Sequence, residues 1–231
     1  MMQIINLFPL SLIKEKISLD IKNKKDMKNE ILSMVKNSKN KSFKGPQDSW
    51  TGDTQGFEYI YKNNKFKILF IEIKKKLINY LNHLGINHEE IDLYITRSWA
   101  TVSNGEEKIK QHRHNQSHIS FAYYLKKSAE DSNIVFFEEF YKNEIVKGIF
   151  RNQTLKNKGI IKKFNLFNAP SIDINVEEDD VLIFPSKSLH GTQVNKSNKE
   201  RISISGDVVC VTKNSELLEN MLPPLKNWDK I

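Results

Sequence analysis

The spacing of apolar residues changes about one third of the way along the chain. Before residue 90, apolar positions recur at helical spacing, most clearly in segments 10–39 and 66–84. The first segment is rich in lysine and is interrupted at 20–25, which predicts one or two surface helices. The second predicts an amphipathic helix with a lysine face, closed by Gly85. Helices are therefore expected to dominate the first third of the chain.

From residue 91 onward the pattern alternates with period two and is rich in β-branched and aromatic residues, which is typical of strands. The predicted strands are 92–103, 119–126, 134–140, 173–176, 181–184 and 201–212. Six or more short strands after a helical layer predict an antiparallel sandwich or barrel with helices packed on one outer face. Residues 141–170 carry the weakest pattern and are interpreted as a long insert or a lid beside the barrel mouth.

The length of 231 residues suits one domain with a substantial core. We expect a single domain over 1–231, in which 1–90 is a mostly helical support region, 91–212 is the β-barrel core and 213–231 is a C-terminal tail. The chain has 39% hydrophobic and 28% charged residues, which excludes a disordered or fibrous class. No apolar run is as long as a membrane span and the N-terminus lacks a signal-peptide pattern, so a cytoplasmic location is expected.

The formal net charge of +8 changes this picture little. Almost all of the cations are lysines, whereas recognition of phosphates and base edges favours arginine. The charge pattern therefore favours a solvated lysine surface over a nucleic-acid interface. Cys210 is the only cysteine, which excludes an intrachain disulfide and a cysteine-based metal site, and its apolar neighbours predict a buried strand thiol.

Three histidines are spaced as a mononuclear metal site requires. His112 and His114 are two residues apart, so on a strand both imidazoles would point to the same side. His190 lies far downstream, where a barrel can bring a distant strand to the same mouth. Three protein ligands on one face of a metal leave positions open for a chelating co-substrate and dioxygen. His118 is kept as a candidate substrate contact or substitute ligand.

Arg201 and Ser203 follow His190 and occupy the same face of the last predicted strand. A guanidinium inside a barrel needs an anionic partner, because an uncompensated buried charge is costly. A dicarboxylate ligand would supply that partner, and the hydroxyl of Ser203 would add a donor. The pair therefore predicts an anion site beside the metal.

Several segments together resemble a known family. They are Ser98-Trp99-Ala100, the run from His112 through His118-Ile119-Ser120 to Tyr123-Tyr124-Leu125, Val181-Leu182-Ile183-Phe184-Pro185 with His190, and Arg201-Ile202-Ser203-Ile204-Ser205. Leu7-Phe8-Pro9 and Ser49-Trp50 extend the resemblance over most of the chain. The sequence resembles the 2-oxoglutarate–iron(II) oxygenases found in bacteria and their phages.

The resemblance implies a mainly β fold with α elements: a double-stranded β-helix (jelly-roll, cupin-like) core with N-terminal helices on one face. It implies Fe(II) held by His112, His114 and His190 at the open end of the barrel. It further implies that 2-oxoglutarate chelates the iron while Arg201 and Ser203 hold its 5-carboxylate. With O2, such an enzyme converts 2-oxoglutarate to succinate and hydroxylates a prime substrate.

One residue departs from the pattern of the wider superfamily, whose first ligand pair is His-x-Asp or His-x-Glu. This chain has His114 where the carboxylate would stand. Three histidines also match a hydrolytic zinc site. Two other ligand sets stay open: a carboxylate from elsewhere could complete the triad, or His114 and His190 could bind with His112 outside.

Two rival functions follow from the same residues. One is a cupin-like three-histidine metalloenzyme that does not use 2-oxoglutarate, and the other is a non-catalytic barrel that binds an acidic partner. The loops expected around the mouth, 40–56 and 141–170, carry no readable specificity motif. The prime substrate is therefore left open between a small molecule and a protein side chain, with nucleic acid not favoured, and the sequence does not indicate an oligomeric state.

Overall fold

Two antiparallel sheets and two long helices organise the protein. The computed structural model describes residues 3–38, 45 and 47–231. The helices are α1 (Ile21–Asn37), α2 (Lys67–His83) and α3 (Gln153–Asn157). The strands are β1 (Ile13–Lys16), β2 (Trp50–Thr51), β3 (Ile91–Ser103), β4 (Ile119–Lys126), β5 (Ile134–Phe137), β6 (Ser171–Ile174), β7 (Asp180–Pro185), β8 (His190–Thr192) and β9 (Arg201–Thr212). No helix in the described residues is long and apolar enough to cross a membrane.

The larger sheet has the strand order β1-β7-β4-β9-β3-β2, and the smaller has the order β6-β5-β8. Every pairing between neighbouring strands is antiparallel. Strand β9 lies inside the larger sheet, where it pairs with β3 on one side and β4 on the other. The two sheets contact each other through Phe136 and Phe184, whose ring centroids are 5.1 Å apart.

The main hydrophobic core lies between the larger sheet and the helices. Helix α2 contributes Leu69, Ile73 and Leu77, which recur every four residues and are at most 2% exposed. The strands meet them with alternate residues, such as Ile202 and Ile204 of β9. Burying one aliphatic side chain of this size stabilises the fold by roughly 1.5–3 kcal/mol. The helices therefore cover the outer face of the larger sheet, and its inner face looks toward the smaller sheet.

The inner face carries a smaller apolar cluster and most of the buried polar groups. The cluster comprises Ala122, Tyr124, Ile134, Val176, Leu182 and Phe184. Strand β9 shows the alternation most clearly, because Arg201 and Ser203 point inward while Ile202 and Ile204 pack toward the helices. The predicted sandwich with helices on one outer face is thus confirmed.

The helix predicted over 66–84 is confirmed as α2, and its C-terminal Gly85 has φ +73°. The helical prediction over 10–39 is wrong at its start, where residues 13–16 form β1. These residues pair with β7 in antiparallel register, with Ile13 opposite Ile183 and Lys16 opposite Asp180. An open sheet edge offers this segment backbone hydrogen bonds that local helical spacing does not reveal. The interruption at 20–25 contains the start of α1, where Asp20 accepts a hydrogen bond from the Asn23 backbone at 2.7 Å.

The strand predictions from residue 91 onward are confirmed with shifts of a few residues at some ends. Strand β5 stops at Phe137 rather than residue 140, and β6 begins at Ser171 rather than residue 173. Strand β8 was not predicted, because three residues are too few to show a period. Of the predicted 40–56 loop and the 10–39 helix, residues 39–44 and 46 lie outside the described residues.

Gly206 on β9 lies against the ring of Phe121, and this contact generates a prediction about stability. A Cβ atom at Gly206 would lie 2.5 Å from Cζ of Phe121 and 3.0 Å from the carbonyl oxygen of Arg97. The Phe121 side chain is 1% exposed and packs edge-on against Phe70, so admitting a methyl group requires the ring to shift against packed neighbours. We expect Gly206→Ala to lower the free energy of unfolding by about 1–3 kcal/mol, measured by urea denaturation. The double variant Gly206→Ala/Phe121→Leu should lose less free energy of unfolding than the sum of the losses in the two single variants. Losses that simply add would show that the two residues do not interact.

Candidate metal and co-substrate site

The structure brings the three predicted histidines together. His112 and His114 lie in the loop between β3 and β4, and His190 begins β8. One potential ligand atom from each imidazole lies within 4.8 Å of the other two. Among the described residues this is the one group of three or more His, Cys, Asp or Glu side chains with that geometry. The residues can therefore converge on a single metal ion.

Backbone pairing between two distant segments positions the cluster. The N–H of His112 donates to the carbonyl of His190 at 2.8 Å, and the N–H of His190 donates back at 2.9 Å. Gly191 permits this approach, because a Cβ atom there would lie 2.9 Å from the carbonyl oxygen of Ile109. The expectation that His112 and His114 share a strand is wrong: His112 forms an isolated bridge, and the N–H of His114 bonds instead to Ser186 at 3.0 Å. Tertiary pairing, not strand period, brings the two rings together.

The Nδ1 atom of each imidazole lies within hydrogen-bonding distance of an oxygen acceptor. Nδ1 of His112 bonds the carbonyl of Lys110 at 2.8 Å, and Nδ1 of His190 bonds the carbonyl of Ser188 at 2.8 Å. Nδ1 of His114 lies 2.9 Å and 3.1 Å from the two carboxylate oxygens of Asp207. Because carbonyl and carboxylate oxygens accept, Nδ1 carries a proton in each ring, and Nε2 is the nitrogen available to a metal. This second-nitrogen bonding is typical of metal-ligating histidines, so the site fits a divalent metal bound through three Nε2 atoms.

Burial keeps two of these rings in the neutral form that a metal needs. It lowers the pKa of His190 to about 3, and the proximity of His112 and His114 acts in the same direction. Burial also lowers the pKa of His112, although its hydrogen bond to Lys110 opposes the shift. At neutral pH both imidazoles are therefore uncharged without any metal present.

Aromatic side chains fix the orientation of the imidazoles. The indole of Trp99 stacks on His114 with ring centroids 5.5 Å apart and an interplanar angle of 21°. The ring of Phe184 meets His190 edge-on at 4.9 Å, and Phe136 lies 5.9 Å from His190. Trp99 and Phe184 are almost fully buried. The cluster is therefore held by packed rings on its inner side.

Arg201 lies in the same cavity, and part of its guanidinium lacks hydrogen-bond partners. It is 2% exposed, and its Nε and Nη1 atoms have no hydrogen-bond partner. Its guanidinium lies 5.1 Å from the ring centroid of Tyr124, and Ser203 on the same strand face is also buried. Unpaired buried guanidinium nitrogens are costly unless an anion binds them. Arg201 and Ser203 therefore fit an anionic ligand beside the three histidines.

A cavity of about 360 Å³ contains the histidines and Arg201. Its lining is Asp48, Ser49, Thr51, Asp53, Thr54, Gln55, Trp99, Thr101, Lys108, Ile109, Lys110, His112, His114, Ser120, Phe121, Ala122, Tyr124, Ile134, Phe184, His190, Gly191, Thr192, Arg201, Ser203 and Ser205. The described part of the 40–56 loop thus borders the cavity, as predicted. No residue of the 141–170 segment does, so the structure favours an insert over a lid for that segment.

His118 does not belong to the site. Its Nδ1 atom accepts a hydrogen bond from the backbone of Cys210 at 3.0 Å, and its own N–H donates to the carbonyl of Val208. The residue is exposed and does not line the cavity, so both roles considered for it are wrong. It extends the pairing of β4 with β9 instead. Cys210 is buried, as predicted, and burial raises the pKa of its thiol.

Sequence reasoning missed Asp207, which bonds to His114. Asp207 is fully buried and also accepts hydrogen bonds from Ser120 and Gln116, each at 3.0 Å. Burial alone would raise the pKa of its carboxyl, but hydrogen bonds from His114 and Ser120 outweigh that effect and lower it. Its position on the same strand face as Arg201 and Ser203 was the signal that could have revealed it.

Comparisons with known proteins agree with this geometry. A family model described as "Putative 2OG-Fe(II) oxygenase" matches residues 97–207. No curated protein sequence matches the chain significantly. Among solved structures, the chain is similar to the non-haem alpha-ketoglutarate-dependent carbocyclase SnoK from nogalamycin biosynthesis. That similarity has 11% identity and a TM-score of 0.56, and it covers 93% of this chain and 87% of the other.

Two prolyl hydroxylases also resemble the structure. A Pseudomonas putida prolyl-4-hydroxylase gives 11% identity and a TM-score of 0.52, covering 87% of this chain and 92% of the other. The viral collagen prolyl hydroxylase from Paramecium bursaria Chlorella virus-1, solved with 2-oxoglutarate, gives 14% identity and a TM-score of 0.50, covering 85% and 94%. At these identities the likeness shows the fold, a double-stranded β-helix.

Residues 97–207 form a domain of the 2OG-Fe(II) oxygenase family. The match begins within β3 and includes His112, His114, His190, Arg201 and Asp207. Enzymes of this family are non-haem iron oxygenases that use Fe(II), 2-oxoglutarate and O2, and these are the cofactor, co-substrate and oxidant of this chain.

The lowered pKa values of the histidines predict how stability depends on pH in the metal-free protein. Between the ordinary pKa near 6.5 and the native value of about 3, the unfolded chain binds a proton at His190 that the native state does not. The free energy of unfolding should therefore fall as pH is lowered from about 6.5 toward 3. Urea denaturation at several pH values measures this slope.

His190→Gln tests the assignment of that slope, with His83→Gln as the matched control. His83 is the exposed last residue of α2 and lies outside the cavity. We expect His190→Gln to flatten the dependence on pH and His83→Gln to leave it unchanged. Equal slopes in the wild type and in His190→Gln would contradict the burial of a neutral His190.

Proposed function

We propose that His112, His114 and His190 bind Fe(II) through their Nε2 atoms. Arg201 and Ser203 bind the 5-carboxylate of 2-oxoglutarate in the same cavity. The enzyme couples conversion of 2-oxoglutarate to succinate with hydroxylation of a prime substrate. The observation that carries this proposal is the buried guanidinium of Arg201, which is unpaired at two nitrogens and shares a cavity with the three histidines.

The environment of Arg201 favours a dicarboxylate over other ligands. A buried charge with no anionic counterpart and two unpaired nitrogens costs several kcal/mol, so the fold tolerates Arg201 best when an anion occupies the cavity. A guanidinium and a carboxylate form two parallel hydrogen bonds, and the hydroxyl of Ser203 adds a third donor. A ligand with a second carboxylate at its other end can reach toward the histidines. A three-histidine hydrolase would leave Arg201 without a role.

The iron with its co-substrate supplies the oxidation chemistry when bound. The chain supplies position and environment. The carbonyls of Lys110 and Ser188 hold the imidazole protons on Nδ1 and so keep the metal-binding lone pairs aimed inward. Trp99 and Phe184 exclude water from the inner side of the cluster. Pre-set ligands of this kind cost little reorganisation at the moment of reaction.

The prime substrate enters where the cavity is lined by polar residues. Thr51, Asp53, Gln55, Lys108 and Lys110 are among the polar residues that line it. The substrate is a small molecule or a protein side chain. Support comes from the two prolyl hydroxylases and the carbocyclase among the similar structures.

We also propose that residues 1–231 act as a single domain. Support comes from strands β1 and β2, which precede residue 91 and join the larger sheet at its two edges. Helices α1 and α2 share their core with the strands of the 91–212 region.

Anaerobic titration with Fe(II) and 2-oxoglutarate tests the site as a whole. Chelation of iron by 2-oxoglutarate should produce a weak visible charge-transfer band, because electron density moves from the metal to the oxo acid. Admitting oxygen should then yield succinate. If no band appears and no succinate forms, the proposed function is wrong.

Arg201→Ala tests the co-substrate half of the site. Removing one partner of a buried charge pair costs roughly 2–5 kcal/mol, so affinity for 2-oxoglutarate should fall about 30-fold or more. Iron affinity should be retained, because Arg201 is not a ligand. Titration of the charge-transfer band measures the first quantity and direct iron titration the second.

The matched control is Arg151→Ala, which removes a half-exposed arginine outside the cavity. It should leave both affinities unchanged. Normal binding of 2-oxoglutarate by Arg201→Ala would show that the arginine does not hold the co-substrate.

A further inference from the structure

The carboxylate of Asp207 is fully buried and surrounded by donors. Its oxygens accept hydrogen bonds from Gln116 Nε2 and Ser120 Oγ, both at 3.0 Å, and lie 2.9 Å and 3.1 Å from Nδ1 of His114. Ser120 Oγ in turn lies 2.8 Å from Ser186 Oγ. A carboxyl group that only accepts, from three donors, is stabilised as the ionised form. A negative charge therefore lies directly behind one of the three histidines.

The sheet holds this charge rigidly. Asp207 pairs with Arg97 of β3 and with Ser120 of β4, so backbone hydrogen bonds flank it on both sides. The register of β3 shifts between Ile95 and Arg97, and the hydroxyl of Thr96 donates to the Asp207 carbonyl at 3.2 Å. The backbone of Asp207 therefore cannot move away from His114 without breaking the larger sheet, and the three side-chain donors hold the carboxylate in place.

The three histidines differ in what lies behind them. His112 and His190 each donate from Nδ1 to a neutral backbone carbonyl, whereas His114 faces a carboxylate. His114 is also the residue that stands where a His-x-Asp or His-x-Glu site would have its carboxylate ligand. The position that lacks a carboxylate ligand is therefore also the position whose histidine is bonded to the buried carboxylate of Asp207.

The Asp207 carboxylate affects how the charge of a bound Fe(II) ion is compensated. Three neutral imidazoles leave both positive charges of Fe(II) uncompensated, whereas a carboxylate ligand offsets one of them. A carboxylate bonded to Nδ1 of a ligating imidazole makes that imidazole a stronger donor and offsets the same charge from one residue further away.

We propose that Asp207 is a positioning residue that supplies, through His114, the negative charge that a carboxylate ligand would otherwise supply to the metal. This inference rests on the proposed function, because it assumes that His114 binds the metal. Asp207 itself touches neither metal nor co-substrate.

Asp207→Asn tests the role of the charge. The amide oxygen can still accept from His114 Nδ1, so the variant removes the charge while keeping an acceptor. Loss of such a partner typically weakens metal binding 10–100-fold. We expect a loss of about that size in the affinity for Co(II), measured by calorimetric titration. We also expect the Fe(II)–2-oxoglutarate charge-transfer band to move to shorter wavelength, because the iron becomes a poorer electron donor.

Asp180→Asn is the matched control. Asp180 is an equally buried carboxylate on β7, and its ion pairs are with Lys14 and Lys16 rather than with the histidine cluster. Its replacement should leave Co(II) affinity and the band position unchanged even where it lowers stability. Equal losses of affinity in Asp180→Asn and Asp207→Asn would assign Asp207 a purely structural role and overturn the proposal.

A measurement on the wild-type chain keeps the proposal testable even where Asp207→Asn does not fold. In the Zn(II)-loaded protein labelled with ¹⁵N-histidine, the Nδ1–H protons of His112, His114 and His190 should all be visible by NMR. The His114 proton should resonate further downfield than the other two, because its hydrogen bond is charge-assisted and theirs go to neutral carbonyls. Three similar resonances would overturn the proposal.

These outcomes separate the inference from the proposed function. A wild-type chain that binds neither Fe(II) nor Co(II) contradicts the proposed function itself. A wild-type chain that binds both, while Asp207→Asn binds Co(II) equally well with an unshifted band, contradicts the inference alone.

Discussion

The alternation of side chains along β9 is the constraint on which the rest of the structure depends. Ile202, Ile204 and Val208 are buried against the helices, so the residues between them must face the interior between the two sheets. A shift of one residue would expose these aliphatic side chains and move Arg201 and Asp207 into the hydrophobic core. Burial of apolar side chains on one face of β9 therefore fixes the direction in which the polar side chains on its other face point.

The two buried charges that β9 places on its inner face differ in how well their hydrogen-bonding groups are satisfied. Asp207 has donors for both of its oxygens, whereas Arg201 has two nitrogens without partners. A satisfied carboxylate can support a neighbouring histidine within the fold itself. An unsatisfied guanidinium is complete only when a ligand binds. In the proposed function, the same strand thus carries a group that supports a metal ligand and a group that binds the co-substrate.

Much of the fold was predictable because its periodic signals are long. Helix α2 and strands β3, β4 and β9 each run for at least eight residues, which is enough for periods of 3.6 and 2 to be distinguished. Strands β1 and β8 have four and three residues and were misassigned or missed, because pairing to another strand decides them and not their own pattern. The histidine loop shows the same limit, since His112 is placed by its bridge to His190 and not by membership of a strand.

The sequence by itself determined the residues proposed to carry the chemistry: three histidines, and an arginine with a serine two residues later, with histidine and arginine both scarce in this chain. It also determined that Arg201 and Ser203 occupy the same face of β9, because alternation is a local property. Only the tertiary structure decided that the three imidazoles converge, that Gly191 permits this, and that Asp207 lies behind His114. These facts depend on contacts between segments about 80 to 90 residues apart, such as the bond between His114 and Asp207 with its separation of 93 residues. Local periodicity carries no information about contacts over such distances.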